Sequence, residues 1–169
     1  MWYKIKKGLH RAFPLSLGIH KGKTSESYEV IFDESCRYIP DAEGDWNKLV
    51  GWSYGILPKI KFEFESISSD GIDWKINFIP AHHIYSTRIA WRYLIETDNI
   101  ELCNYHYFEG KRVLRCFRTV PIREKVIITH DMTESSFKPM LHKWGYNLGL
   151  WFGGQASAQH DTRVFIKKL

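Results

Sequence analysis

Apolar and polar residues alternate with a period of two along much of the chain. Ile60-Lys61-Phe62-Glu63-Phe64-Glu65 puts apolar side chains on one side and charged ones on the other, the mark of a strand with two unlike faces. Ser68-Ser69-Asp70-Gly71 is a turn signal, and the alternation resumes over residues 72–78, so the two segments predict a hairpin. Further strands are predicted over residues 28–32, 87–96, 100–108, 112–120, 125–130, 146–152 and 162–168. Turn-forming residues separate them, among them Thr97-Asp98-Asn99, Glu109-Gly110, Pro121 and Gly153-Gly154. No segment keeps an apolar stripe at helical spacing for about 11 residues. The best helical candidate is 45–50, where Asp45 would cap a single turn. About nine short strands predict an all-β antiparallel β-sandwich, jelly-roll or concanavalin-like, with very little helix and a closed barrel as the alternative. No composition break, repeat or linker divides the 169 residues, so one domain over 1–169 is expected.

Turn positions predict strand registers. A two-residue loop at Asp98-Asn99 sets Ile95 opposite Leu102, Tyr93 opposite Asn104 and Trp91 opposite His106. A second at Glu109-Gly110 sets Asn104 opposite Arg115, His106 opposite Val113 and Leu102 opposite Phe117. One face then carries Ile89, Trp91, Tyr93, Ile95, Ile100, Leu102, Phe108, Val113 and Phe117 as a core face, with Asn104, His106 and Arg115 as polar members needing partners. The other carries Arg88, Arg92, Leu94, Tyr105, Tyr107, Arg112, Leu114 and Arg118, with Cys103 near Cys116. Guanidinium forks bind phosphate or carboxylate, and phenol rings stack and donate hydrogen bonds. A slip of one residue would exchange the faces.

Charge supports a search for an anionic partner. Lys and Arg number 24 against 19 Asp and Glu, a net +5. Basic residues cluster before Glu26 and again over 111–125, which favours anions by long-range attraction. The excess is too small for a dedicated nucleic-acid protein, and sequence-specific nucleic-acid binding is not expected. No apolar run reaches the about 20 residues of a membrane span, and no signal-like apolar segment follows the early lysines. A cytoplasmic protein off the membrane is expected, with Cys36, Cys103 and Cys116 as free thiols and no disulfide.

Eight histidines are many for this length. His82-His83 open a strand from a loop, a position where function collects. Nothing has metal-ligand spacing, so no metal or cofactor is expected. Near the end, Gly153-Gly154 lead into a loop of small residues and then His160. Paired glycines allow a tight turn or close backbone approach to a ligand, and their amides would suit an anion. The expected ligand-binding set is therefore Arg88, Arg92, Tyr105, Tyr107, His83, His160, Gly153 and Gly154.

The segment 145–161, with Asp45-Trp46-Asn47-Lys48-Leu49-Val50-Gly51 and the stretch from His82-His83 to Trp91, resembles an uncharacterised bacterial protein family whose members end in an aromatic-Phe-Gly-Gly … His-Asp pattern. That resemblance implies no activity and carries over no functional residues. The strand pattern is also similar to the concanavalin-type sandwiches of lectins and polysaccharide lyases, a likeness of architecture alone.

Three functions fit the residues. The first is a binding protein holding an anionic small molecule, nucleotide-like or an acidic sugar, on the arginine–tyrosine face. The second is a lyase or phosphodiesterase, with His83, His106 or His160 and Tyr105 or Tyr107 as acid and base. The third is a structural or partner-binding module such as a viral particle component, with some of the seven tryptophans as anchors. Trp74 and Trp91 alternate as core residues should, and self-association is left open.

Overall fold

The computed structural model describes residues 1–14, 18–40, 46–68, 71–132, 143–153 and 157–169, with side chains at these positions apart from 65–68 and 71–74. Thirteen strands are described: β1 (Trp2–Ile5), β2 (Ala12–Phe13), β3 (Ile19–Lys21), β4 (Ser25–Phe32), β5 (Asn47–Ser53), β6 (Lys59–Ser68), β7 (Gly71–Ile79), β8 (Ser86–Leu94), β9 (Asn99–Phe108), β10 (Lys111–Pro121), β11 (Lys125–Asp131), β12 (Trp144–Leu148) and β13 (Thr162–Lys168). Helix among the described residues is confined to two three-residue 3-10 turns, Glu34–Cys36 and Ala81–His83. Among the described residues, no helix is long and apolar enough to cross a membrane.

The strands form a five-stranded sheet in the order β11-β4-β13-β1-β2 and a six-stranded sheet in the order β10-β9-β8-β5-β12-β3. Their inner faces share one apolar cluster. Ile5, Val30, Phe32, Val164 and Ile166 come from the first sheet, and Leu49, Ile89, Trp91, Ile100, Leu102 and Val120 from the second. The Phe32 and Trp91 rings meet across the interface at 5.3 Å between centroids, both fully buried. Burying each such side chain stabilises the fold by about 1.5–3 kcal/mol. The fold is thus an all-β, antiparallel sandwich, as the alternation predicts.

The β8–β9 register differs from the predicted one. Trp91 pairs with Leu102, Tyr93 with Ile100 and Ile89 with Asn104. Residues 95–98 form a four-residue turn, with Asp98 in the left-handed region at φ 52°. Its carboxylate accepts from the Tyr93 hydroxyl at 2.8 Å and from two Arg37 nitrogens at 2.7 Å each. Lengthening the loop shifts the register by four residues. Because four is even, every side chain keeps its predicted face, although Ile95 leaves the core for the turn and is exposed.

The β9–β10 loop is the predicted two-residue one. Glu109 (φ 52°) and Gly110 (φ 78°) are both left-handed, as a tight hairpin turn of matching twist requires. Asn104–Arg115 and His106–Val113 pair as expected, but a bulge at Phe117 sets Arg118 opposite Leu102. Arg118 therefore leaves the arginine–tyrosine face and donates to the Ile127 carbonyl instead. Val113 and Phe117 are exposed rather than core, since β10 is an edge strand open over almost its whole length.

Two further expectations are corrected, and the predicted β6–β7 hairpin forms. The segment 45–50 is not a helical turn: Asn47–Ser53 is strand β5, inside the six-stranded sheet and buried at every position. A strand covered on both faces shows no alternation to read. Cys103 and Cys116 lie directly opposite each other on β9 and β10 and form a disulfide, leaving Cys36 as the free thiol. Finally, β6 and β7 pair only with each other and join neither sheet. Trp74 thus stands in a strand outside the sandwich, and its side chain is not among those described.

Candidate functional site

The outer face of the six-stranded sheet collects the residues of interest. Arg88 on β8 is directly opposite Tyr105 on β9 and Gly51 on β5. A Cβ at Gly51 would lie 2.1 Å from the Thr87 carbonyl oxygen and 2.8 Å from Arg88 Cγ, so only glycine leaves room for the arginine stem to cross β5. Arg88 is partly buried, and burial pushes its pKa down to about 10, with Tyr105, Tyr146 and Tyr107 as its electrostatic neighbours. Among the described residues no carboxylate pairs with it.

Around Arg88 the surroundings are positive and aromatic. Lys48 on β5 is buried; its Nζ donates to the Gly153 carbonyl at 3.0 Å and lies 5.2 Å from the Tyr105 ring centroid. Tyr105 and Tyr107 carry hydroxyls 3.5 Å apart. Burial first, then Tyr107, pushes the Tyr105 pKa up to about 12, with Arg112 acting the other way. Trp46, Ala90 and Cys103 pack beside these tyrosines, giving the site an apolar floor.

The histidine turn forms one wall. Pro80 precedes the Ala81–His83 turn, and the Ser86 hydroxyl donates to the His82 carbonyl at 2.6 Å. The Gly110 amide donates to the Ile84 carbonyl, tying the β9–β10 hairpin to the same turn. His82 Nδ1 is 2.7 Å from the Tyr146 hydroxyl. Burial, followed by Arg88 and His83, pushes the His82 pKa down to about 4. His83 sits at the exposed rim with its ring 5.2 Å from that of Tyr107. Desolvation, Arg88 and Lys48 hold its pKa below the ordinary histidine value. At neutral pH both imidazoles are uncharged beside a charged guanidinium.

The predicted set is thus only partly assembled. Arg88, Tyr105, Tyr107 and His83 come together. Arg92 shares their face, but four residues of strand separate it from Arg88 by about 13 Å. Its guanidinium is taken by Glu101 at 2.7 Å and stacks 4.6 Å from the Trp46 ring. Gly153 is left-handed at φ 60°, yet its amide donates to Asn47 Oδ1 at 2.6 Å and its carbonyl accepts from Lys48. Its amide therefore holds the loop to β5 rather than facing a ligand. Gly154 lies outside the described residues. His160 is elsewhere, with Nε2 2.8 Å from the Ser35 carbonyl in the turn after β4. The expected set left out Lys48, Tyr146 and His82, the last although the His82-His83 pair stands out in the sequence. Nothing in Trp46-Asn47-Lys48-Leu49-Val50-Gly51-Trp52 sets Lys48 apart from a surface lysine, and Tyr146 joins only through the fold.

Two other polar groupings compete with this site. Glu26 lies in a cleft of about 130 Å³ between the sheets, also lined by Tyr3, Tyr28, Gly51, Asn147 and Lys168. Its carboxylate is already engaged by Lys23, Lys168 and the Tyr28 hydroxyl, so it serves as an internal ion-pair centre. Among the described residues, Glu101, Cys103 and Cys116 alone bring three potential metal-ligand atoms together, and the two sulfurs are spent on each other in the disulfide. Comparison of the chain with protein-family models, with curated proteins and with solved structures finds no match.

Proposed function

We propose that this protein binds an anionic small molecule, nucleotide-like or an acidic sugar, on the outer face of the six-stranded sheet, with Arg88 as the principal anchor. The observation that carries this reading is the Arg88 guanidinium, partly withdrawn from water among tyrosines with no carboxylate opposite it among the described residues. A cation held this way is costly to desolvate, and an incoming anion offsets that cost through charge-assisted hydrogen bonds. Lys48 adds positive potential from below, Tyr105 and Tyr107 offer hydroxyl donors, and the His83–Tyr107 pair offers ring surface. Arg92, held by Glu101, contributes little.

Melting curves and titration calorimetry with nucleoside monophosphates, uronic-acid oligosaccharides and inorganic phosphate test the reading. One class should raise the melting temperature of the wild type and lose at least about tenfold in affinity with Arg88→Ala, the loss of about one charged hydrogen bond. If no anion binds, or if Arg88→Ala binds as well as the wild type, the reading is wrong.

A second reading rests on His82 and Tyr146. A neutral imidazole bonded to a phenol beside a guanidinium has the parts of an acid–base pair with an anion neutraliser, as a lyase or phosphodiesterase would use. Burial holds the Tyr146 pKa up, so Tyr146 would give a proton and His82 would take one. Product analysis in the same titrations separates the two readings: turnover lost in His82→Gln supports the second.

A further inference from the structure

Strands β6 and β7 form an arm whose described apolar side chains on one face are each more than half exposed. Ile60 pairs with Phe78, and Phe62 with Ile76, so these side chains share one face with Phe64. Ile60, Phe62, Phe64, Ile76 and Phe78 are 51%, 63%, 53%, 52% and 66% exposed. The opposite face is a polar ladder, with Lys61 on Glu63 at 2.6 Å and Asn77 donating to Glu63 at 2.5 Å. Ten residues of strand extend about 34 Å, and neither sheet pairs with either edge. A two-stranded hairpin without a third strand or a packing partner is marginal in water. The amphipathic pattern of this arm therefore calls for a cover.

We infer that the cover is the same face of a second copy of this chain, the two arms packing face to face about a two-fold axis near the Phe62–Ile76 pair. Three observations favour a second copy. The described apolar face carries no charge, so packing it on itself buries none, while the Lys61–Glu63–Asn77 ladders of both arms stay in water. The five residues expose about 500 Å² per copy, and with Ile56 and Leu57 at the root of the arm, 49% and 82% exposed, the total over two copies approaches about 1,500 Å². That is the size of a stable interface. An isologous contact also closes on itself and gives a discrete dimer. Insertion into lipid is disfavoured, because a lone hairpin there leaves the backbone groups of both edges unpaired. The inference stands apart from the anion site, which it does not use.

Sedimentation equilibrium over a concentration series tests it. The wild type should dimerise, and Phe62→Glu and Ile76→Glu should each weaken dimerisation at least tenfold, with an unchanged far-ultraviolet spectrum and a melting temperature close to that of wild-type monomer. Phe62→Cys should form an intermolecular disulfide under mild oxidation, while Lys61→Cys on the polar face should not. A wild type that stays monomeric throughout overturns the proposal. So does a dimer that survives Phe62→Glu but is lost in Val113→Lys, which would move the interface to β10. Monomeric wild type that floats with anionic phospholipid vesicles, and ceases to in Phe62→Glu, would assign the arm to a lipid surface instead.

Discussion

Thr87 Oγ1 lies 2.5 Å from His130 Nε2 and 2.8 Å from His106 Nδ1, so one hydroxyl joins two histidines in the interior. His130 Nδ1 is buried with no hydrogen-bond partner. The arrangement that orphans no buried N–H at His130 runs from His130 Nε2–H to the Thr87 oxygen, and from the Thr87 proton to His106 Nδ1. A charged His130 would carry an N–H at Nδ1 with nothing to receive it. Burial, then His106 and Lys23, accordingly push its pKa down to about 3.

Thr87→Val keeps the shape and removes the shared hydroxyl. Two interior imidazole nitrogens then lose their partner, at about 1–3 kcal/mol each. The melting temperature should fall by roughly 5–15 °C. A change within error of zero would mean that the histidines find other partners.

Stability should begin to fall with acid above the range in which most carboxylates titrate. His82 and His106 are pushed down to about 4 and His130 to about 3, burial being the first cause for each. These folded values lie below the unfolded histidine value of about 6.5, so between about pH 6.5 and 4 the unfolded chain binds more protons and stability rises with pH. Each histidine contributes up to about 1.4 kcal/mol per pH unit in that window. Urea denaturation between pH 7 and about 4.5 should show the slope, and His130→Gln should reduce it by close to one proton. A flat profile would place the imidazoles in water.

The Cys103–Cys116 bridge sets the thiol count. Titration of the unfolded, unreduced protein should find one thiol, Cys36, and after reduction three. The bridge closes a loop of sequence separation 13, for which chain entropy allows up to about 3 kcal/mol. Because β9 and β10 are already joined by a tight turn, reduction should cost less than this. Three thiols without reductant would restore the reduced state expected from the sequence.

Arg88 and Arg92 should behave differently although they share a face. Arg92→Ala breaks an ion pair with Glu101 and a stack on Trp46, so it should lower stability by about 1 kcal/mol and leave anion affinity within about twofold. Arg88→Ala should do the reverse, raising Kd at least about tenfold with little loss of stability. Equal effects on affinity would show that both arginines face the ligand.

Gly51→Ala tests the packing beneath Arg88. The added methyl meets the Thr87 carbonyl at 2.1 Å and the Arg88 Cα at 2.7 Å, so β5 and β8 must part. A loss of at least about 2 kcal/mol is expected, at the level of core overpacking. A stable variant that has lost only anion binding would confine the glycine's role to seating the arginine.

The alternation of residue types determined β4, β8 to β11 and β13 of the sandwich, though not β1, β2, β3 or β5, and it determined the faces of β8 and β9. It did so despite the wrong register, since a shift of four leaves every side chain on its side of the pleat. Glu109-Gly110 likewise determined its own turn, because the left-handed conformations it needs are local. Where the controlling interaction is distant, local pattern was silent. Strand β5 shows no alternation because it is buried at every position, polar residues included. The bulge at Phe117 redirects Arg118 without any mark in the alternation. Only the tertiary structure brings Lys48, His82 and Tyr146 to Arg88, sends His160 to Ser35 and joins Cys103 to Cys116. Only it shows that the cleanest amphipathic pattern, over β6 and β7, lies outside the core. Period-two alternation reports that a strand has two unlike faces, and what covers each face is decided by elements far along the chain.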